Sequence, residues 1–178
     1  MLDVWLKTGS IFLLILIGAI VRHRGIMDTA FTKRLAVMLT SVFYPALIFS
    51  TIVSEFTWGE ILDHWILPAG SASIMILGFV IGGIMLPFVS LRDARQRRTF
   101  HFQCTMNNYS FLPMMLALLF WDQRGLALVI YSTVGAELVV WTLGAYTLSG
   151  QALRLANLKY LLNMPLLAMV AGGMTLGL

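Results

Sequence analysis

TFHFQCTMNNYSFLPMMLALLFW, residues 99–121, is apolar at both ends and polar in its middle. Gln103, Thr105, Asn107, Asn108, Tyr109 and Ser110 stand close together, and Pro113 follows them. A proline supplies no amide hydrogen, and its ring clashes with the carbonyl four residues back, here that of Tyr109. The pattern predicts a membrane span that kinks or opens between Asn108 and Leu112, near its midpoint. Freed carbonyls there need partners, and the amides at the restart make a weakly positive helix end. Broken helices that aim their ends at the bilayer midplane are how many secondary carriers hold ions and anionic substrates. The alternative is an ordinary proline kink whose Asn side chains join neighbouring helices. The Asn108-Tyr109-Ser110 triplet also matches a glycosylation sequon, but mid-membrane it is out of reach of that machinery.

The rest of the chain places this stretch in a bilayer. Of 178 residues, 59% are hydrophobic and only 11% are charged. Soluble domains carry about 25% charged residues, so a soluble domain and a disordered chain are both excluded. Five further stretches approach the roughly 20 apolar residues that a helical span needs. They run over about 6–21, 35–53, 65–90, 126–149 and 161–178. With residues 99–121 this predicts an all-α polytopic membrane protein of about six transmembrane helices. The first stretch resembles a signal peptide only in length, because Arg22-His23-Arg24 follows where a small-residue cleavage site belongs.

Lys and Arg are unevenly shared between the links. Arg22, Arg24, Lys33 and Arg34 lie in the first, Arg92, Arg95, Arg97 and Arg98 in the third, and Arg154 and Lys159 in the fifth. Only Lys7 and Arg124 lie on the opposite side, with Asp3, Glu55, Glu60, Asp63 and Asp122. The positive-inside rule then puts the N-terminus outside. Trp5, Trp58, Trp65 and Trp121 fall at the same outer boundary, where interfacial Trp residues collect. The basic run 92–98 reads as a topology-setting loop rather than a nucleic-acid or anionic-lipid patch.

Glu137 is the acidic residue in the middle of a span. Helical spacing puts Thr133, Glu137 and Trp141 on one stripe, with Gly144 nearby. A carboxyl at that depth is either protonated or paired, and its roles are proton coupling, a cation ligand, a hydrogen bond to the Asn pair, or plain helix-to-helix bonding. Pro45 predicts a kink in the second helix. Gly78 with Gly82, and Gly173 with Gly177, have the spacing of close helix contacts. His101 is expected at the interface. Cys104 and three histidines form no recognisable metal set, no phosphate loop or nucleophile motif appears, and no cofactor is implied.

Asn107-Asn108-Tyr109-Ser110-Phe111-Leu112-Pro113, with Leu116 to Phe120 after it, resembles the auxin efflux carrier family, which includes plant PIN-type carriers and malonate-permease-like bacterial proteins. Gly135 to Gly144 resembles the helix that follows, Phe43 to Phe49 the second helix, and Leu161 to Pro165 the sixth. Ser110 stands where that family usually has Gly, and Met164 separates Asn163 from Pro165. The resemblance implies a ten-helix carrier of two inverted five-helix repeats, whose broken fourth helices cross at a site for an organic anion. Residues 1–150 would be the first repeat, and 151–178 the cytoplasmic link and sixth helix.

The expectation is therefore a secondary transporter of small organic anions, such as auxin-like or dicarboxylate compounds, and not an enzyme. Asn107, Asn108, Tyr109, Ser110 and Pro113 would bind substrate, and Glu137 would couple to H+ or Na+. The expected setting is a bacterial inner membrane, with a lipid bilayer around the chain and no nucleic acid. A truncated or partial carrier is expected, or a chain completed by a second-half subunit or by homo-oligomerisation. The alternative is a non-transporting membrane subunit, or a carrier remnant, that binds a partner membrane protein.

Overall fold

With no water in the hydrocarbon core, a spanning chain must satisfy its backbone within itself. The computed structural model, which describes residues 2–91, 93–150 and 164–176, does so with helices, and no strand occurs among those residues. Arg92, Arg154, Lys159, Leu161, Leu162, Asn163 and Gly177 lie outside the described residues.

The first helix, α1 (Leu2–His23), leaves the run from Phe12 to Ile17 exposed. In water so large an apolar face would be a liability; in a bilayer it meets lipid. Next come α2 (Thr29–Met38), started by Asp28 accepting from the Phe31 amide at 2.6 Å, a π-helical turn over Leu39–Phe43, and α3 (Tyr44–Glu55). The predicted kink at Pro45 thus takes the form of a widened turn. The Pro45 ring would press on the carbonyl of Ser41, and the π-turn relieves that clash by passing the Tyr44 amide to the Leu39 carbonyl.

A short α4 (Trp58–Asp63) begins with a Thr57–Glu60 capping box. After it come α5 (Ile66–Met85), a single 3₁₀ turn, and α6 (Ala94–Thr105). The long α7 (Phe111–Val139) continues through a second π-turn, Val140–Gly144, into α8 (Ala145–Ser149). The last described helix is α9 (Met164–Thr175).

Trp121 and Asp122 leave helical space inside α7, and Asp122 takes φ 55°. A straight helix advances about 1.5 Å per residue, so Met114 and Ile130 would lie roughly 24 Å apart along it. They instead share one core with Leu126, Ala127 and Tyr131. The two arms of α7 are therefore a hairpin. Gly125 makes the return compact, because a side chain there would strike the Trp121 Cβ and approach the Ala117 carbonyl at 3.1 Å.

Four helical runs among the described residues are long and apolar enough to cross a membrane: Trp5–His23, Thr29–Glu55, Trp58–Phe88 and Phe111–Ser149. The all-α polytopic class holds, while six apolar stretches become four such runs for physical reasons. The fourth stretch is severed at residues 106–110, which leaves α6 as a separate basic helix. Its remainder merges with the fifth across the Trp121–Asp122 reversal, and the described part of the sixth is the shorter α9.

Small residues set the packing. Gly135 lets α7 rest directly on the Pro68 carbonyl of α5. Gly78 and Gly82 seat α6, since side chains there would strike the Cys104 backbone and the Cys104 Cβ. That is the close contact their spacing predicted. A Cβ added at Gly172 would lie 3.1 Å from the Ile52 side chain of α3, so the glycine lets α9 approach closely. His101 is half-buried: its Nε2–H reaches the Phe79 carbonyl at 2.8 Å, and its ring stacks on Phe79.

Residues assigned to one membrane side meet in space. Arg124 pairs with Glu60 at 2.7 Å and also donates to the Glu55 carbonyl, while Lys7 donates to the Leu119 carbonyl. Trp5, Trp58, Trp65 and Trp121 are all exposed.

Candidate functional site

The helical path opens at Met106–Ser110, slightly earlier than the Asn108–Leu112 window predicted from Pro113. Phe111 and Leu112 are already helical, so Pro113 falls in the first turn of α7. First-turn amides have no acceptor within the helix, so the missing N–H costs little there. Ser110 occupies the N-cap position without capping. Its hydroxyl instead donates to Tyr44 Oη at 3.1 Å, which ties the break to the start of α3.

Glu137 is buried on the returning arm of α7. Its Oε1 accepts from Tyr109 Oη at 3.0 Å, and its Oε2 accepts from Trp141 Nε1 at 2.8 Å. The hydrogen bond to the Asn pair does not form: the carboxyl is satisfied by Tyr109 beside that pair. Thr133, on the same stripe, turns its hydroxyl back to the Ile130 carbonyl. The described ion pair, Arg124–Glu60, involves other residues, so Glu137 has no cationic partner among the described residues.

Asn107 and Asn108 are exposed, and neither side chain has a hydrogen-bond partner among the described residues. Both line a cleft of about 540 Å³ together with Tyr109, Ser110 and Phe111. Thr40, Ser41 and Tyr44 form a second wall, Glu137, Val140 and Trp141 a third, and Met164 and Pro165 close part of the rim. Pro113 is not among the lining residues; its place is in the first turn behind them. A volume of this size suits a small organic molecule.

Three interruptions of regular helix therefore converge on one cleft: the break at 106–110 and the π-turns at Leu39–Phe43 and Val140–Gly144. Gly144 permits the approach, since a side chain there would press on Met106 and Phe102. The sequence pattern alone did not single out Thr40 and Ser41. Their one signal was Pro45, whose ring frees the Ser41 carbonyl.

The profile of the membrane transport protein family matches residues 7–163, most of the chain. The chain belongs to that family. This is the auxin efflux carrier group that the Asn107–Pro113 stretch resembles, and its members are transporters rather than enzymes. No curated protein and no solved structure matches the chain.

Proposed function

We propose that this membrane transport protein is a secondary carrier of small organic anions, and that the cleft at the α6–α7 break is its substrate site. The observation that carries the reading is the state of Asn107 and Asn108. Two amides at the break between α6 and α7, exposed and without partners among the described residues, are expensive within a membrane unless they face a ligand, water or another protein surface. Here they share a cleft with the start of α7, whose first-turn amides make a weakly positive helix end. Amide donors with a positive helix end favour a carboxylate. In this reading Tyr109 and Ser110 are held in place by Glu137 and Tyr44, and Pro113 keeps α7 starting where it does.

Glu137 is the coupling group. A buried carboxyl held by two neutral donors, and without a counter-ion among the described residues, is placed to exchange a proton or to receive Na+ as substrate enters. The open side of the cleft is covered by a second inverted half, from a longer protein or from another chain, so residues 1–150 act as the first repeat. The chain is an integral protein of the cell membrane with its N-terminus outside.

Uptake of radiolabelled malonate and of an auxin into proteoliposomes tests the site. Asn108→Ala is expected to lower transport at least tenfold, roughly what loss of one polar contact to a charged group produces. Unchanged uptake by Asn108→Ala beside an active wild type would remove the assignment.

A further inference from the structure

A second cleft, of about 380 Å³, lies at the other end of the broken helix. Ala94, Arg97, Arg98 and His101 line it from α6, at positions that fall on one helix face. Leu86 lies on one side, and Tyr146, Thr147 and Gly150 at the end of α8 on the other. A loop that only sets topology needs its charges on the correct membrane side and nothing more. These charges are instead built into a concave site.

Arg98 is half-buried, and it is accommodated by Gly150, whose φ of +64° is ready for a residue without a side chain. A Cβ at Gly150 would run into the Arg98 guanidinium, so α8 ends where that side chain passes. His101 is fixed from behind by the Phe79 carbonyl and ring. Among the described residues no Asp or Glu lines the cleft, and the Arg97 and Arg98 side chains have no ion pair or hydrogen bond. The Thr147 hydroxyl donates to the Leu143 carbonyl, so the side-chain donors left for a ligand among the described residues are the guanidinium groups and the Tyr146 hydroxyl.

The surroundings indicate which anion fits. Phe88 is 76% exposed and Leu148 is 48% exposed, each close in sequence to a lining residue, and Tyr146 at the rim is 40% exposed. A cationic cleft edged by Leu86 and the exposed Tyr146 ring at a helix end matches a group that carries both phosphate and hydrocarbon. We infer that the α6–α8 cleft binds the phosphodiester headgroup of an anionic membrane phospholipid, with Arg97 and Arg98 as the phosphate ligands. Lipid bound there would brace α6 against α8. The inference does not depend on the transport reading.

Native mass spectrometry of the full chain in mild detergent tests this with phosphatidylglycerol, phosphatidylcholine and glycerol 3-phosphate as probes. The expected result is retention of phosphatidylglycerol at least about tenfold above phosphatidylcholine, the scale of two basic side chains near a lipid surface. Arg97→Gln with Arg98→Gln should abolish that preference, while Lys33→Gln with Arg34→Gln, on a separate basic groove, should leave it intact. Arg97 is exposed, so Arg97→Gln alone is safe for folding and should cut the preference about threefold. A preference that survives both arginine changes overturns the site. Displacement of lipid by equimolar glycerol 3-phosphate overturns the lipid assignment in favour of a soluble phosphate ester.

Discussion

Glu137 receives hydrogen bonds from two residues that reach it by different routes. Trp141 lies one helical turn further on, and i, i+4 spacing made its place on the same stripe as Glu137 legible in the sequence. Tyr109 is 28 residues away and arrives only because α7 doubles back at Trp121–Asp122. No periodicity encodes that meeting, which is why the sequence offered the Asn pair and not Tyr109 as the bonding partner. The geometry predicts coupling between the two residues. Tyr109→Phe should cost about 1 kcal/mol, the ordinary worth of one hydrogen bond. Glu137→Gln should cost a similar amount, and the double variant less than the sum, since directly bonded residues commonly couple by roughly 0.5–3 kcal/mol. Thermal unfolding of the four proteins in detergent, followed by circular dichroism, gives the cycle. Strict additivity would show that the Tyr109–Glu137 bond does not hold the break.

Helices in this protein are shaped by where they depart from α geometry. Pro45 was legible as a kink, because a proline ring cannot coexist with the Ser41 carbonyl in an α-helix. That the kink is a π-turn, and that it delivers Thr40 and Ser41 to the cleft, depends on packing against α7 and was not legible. The second π-turn, at Val140–Gly144, contains no proline and left no signal beyond Gly144. Pro113 shows the reverse case: the sequence marked the break, but the helix restarts early enough to absorb the proline in its first turn. Pro45→Ala restores the missing amide and lets the π-turn relax to α geometry. Removing one residue from a turn rotates the preceding segment by about 100°, which would carry Thr40 and Ser41 out of the cleft. The expected outcome is transport reduced at least about fivefold with stability equal to or above wild type. Wild-type uptake by Pro45→Ala would show that the π-turn is structural only.

At the scale of the whole molecule, apolar content carried most of the architecture. The segments 6–21, 35–53 and 65–90 correspond to α1, to α2 with α3, and to α5. The hairpin within Phe111–Val139 is less visible, because Asp122 and Arg124 are weak punctuation in an apolar run. The charge asymmetry also forecasts orientation, and the structure gives that forecast a definite test. Glu55, Glu60 and Arg124 meet in one place, whereas Arg97, Arg98 and Gly150 line a cleft elsewhere. Asp63 and Gln96 are exposed and belong to the two opposite sets. In a Cys104→Ala background, Asp63→Cys should react with a membrane-impermeant maleimide on intact cells. Gln96→Cys should react only after the membrane is permeabilised. The mirror pattern would reverse the orientation derived from the positive-inside rule. Labelling of both sites on intact cells would mean that the chain inserts in both directions. Two copies of this chain would then supply the two inverted halves of one carrier, and no separate second-half subunit would be needed to cover the cleft at Asn107 and Asn108.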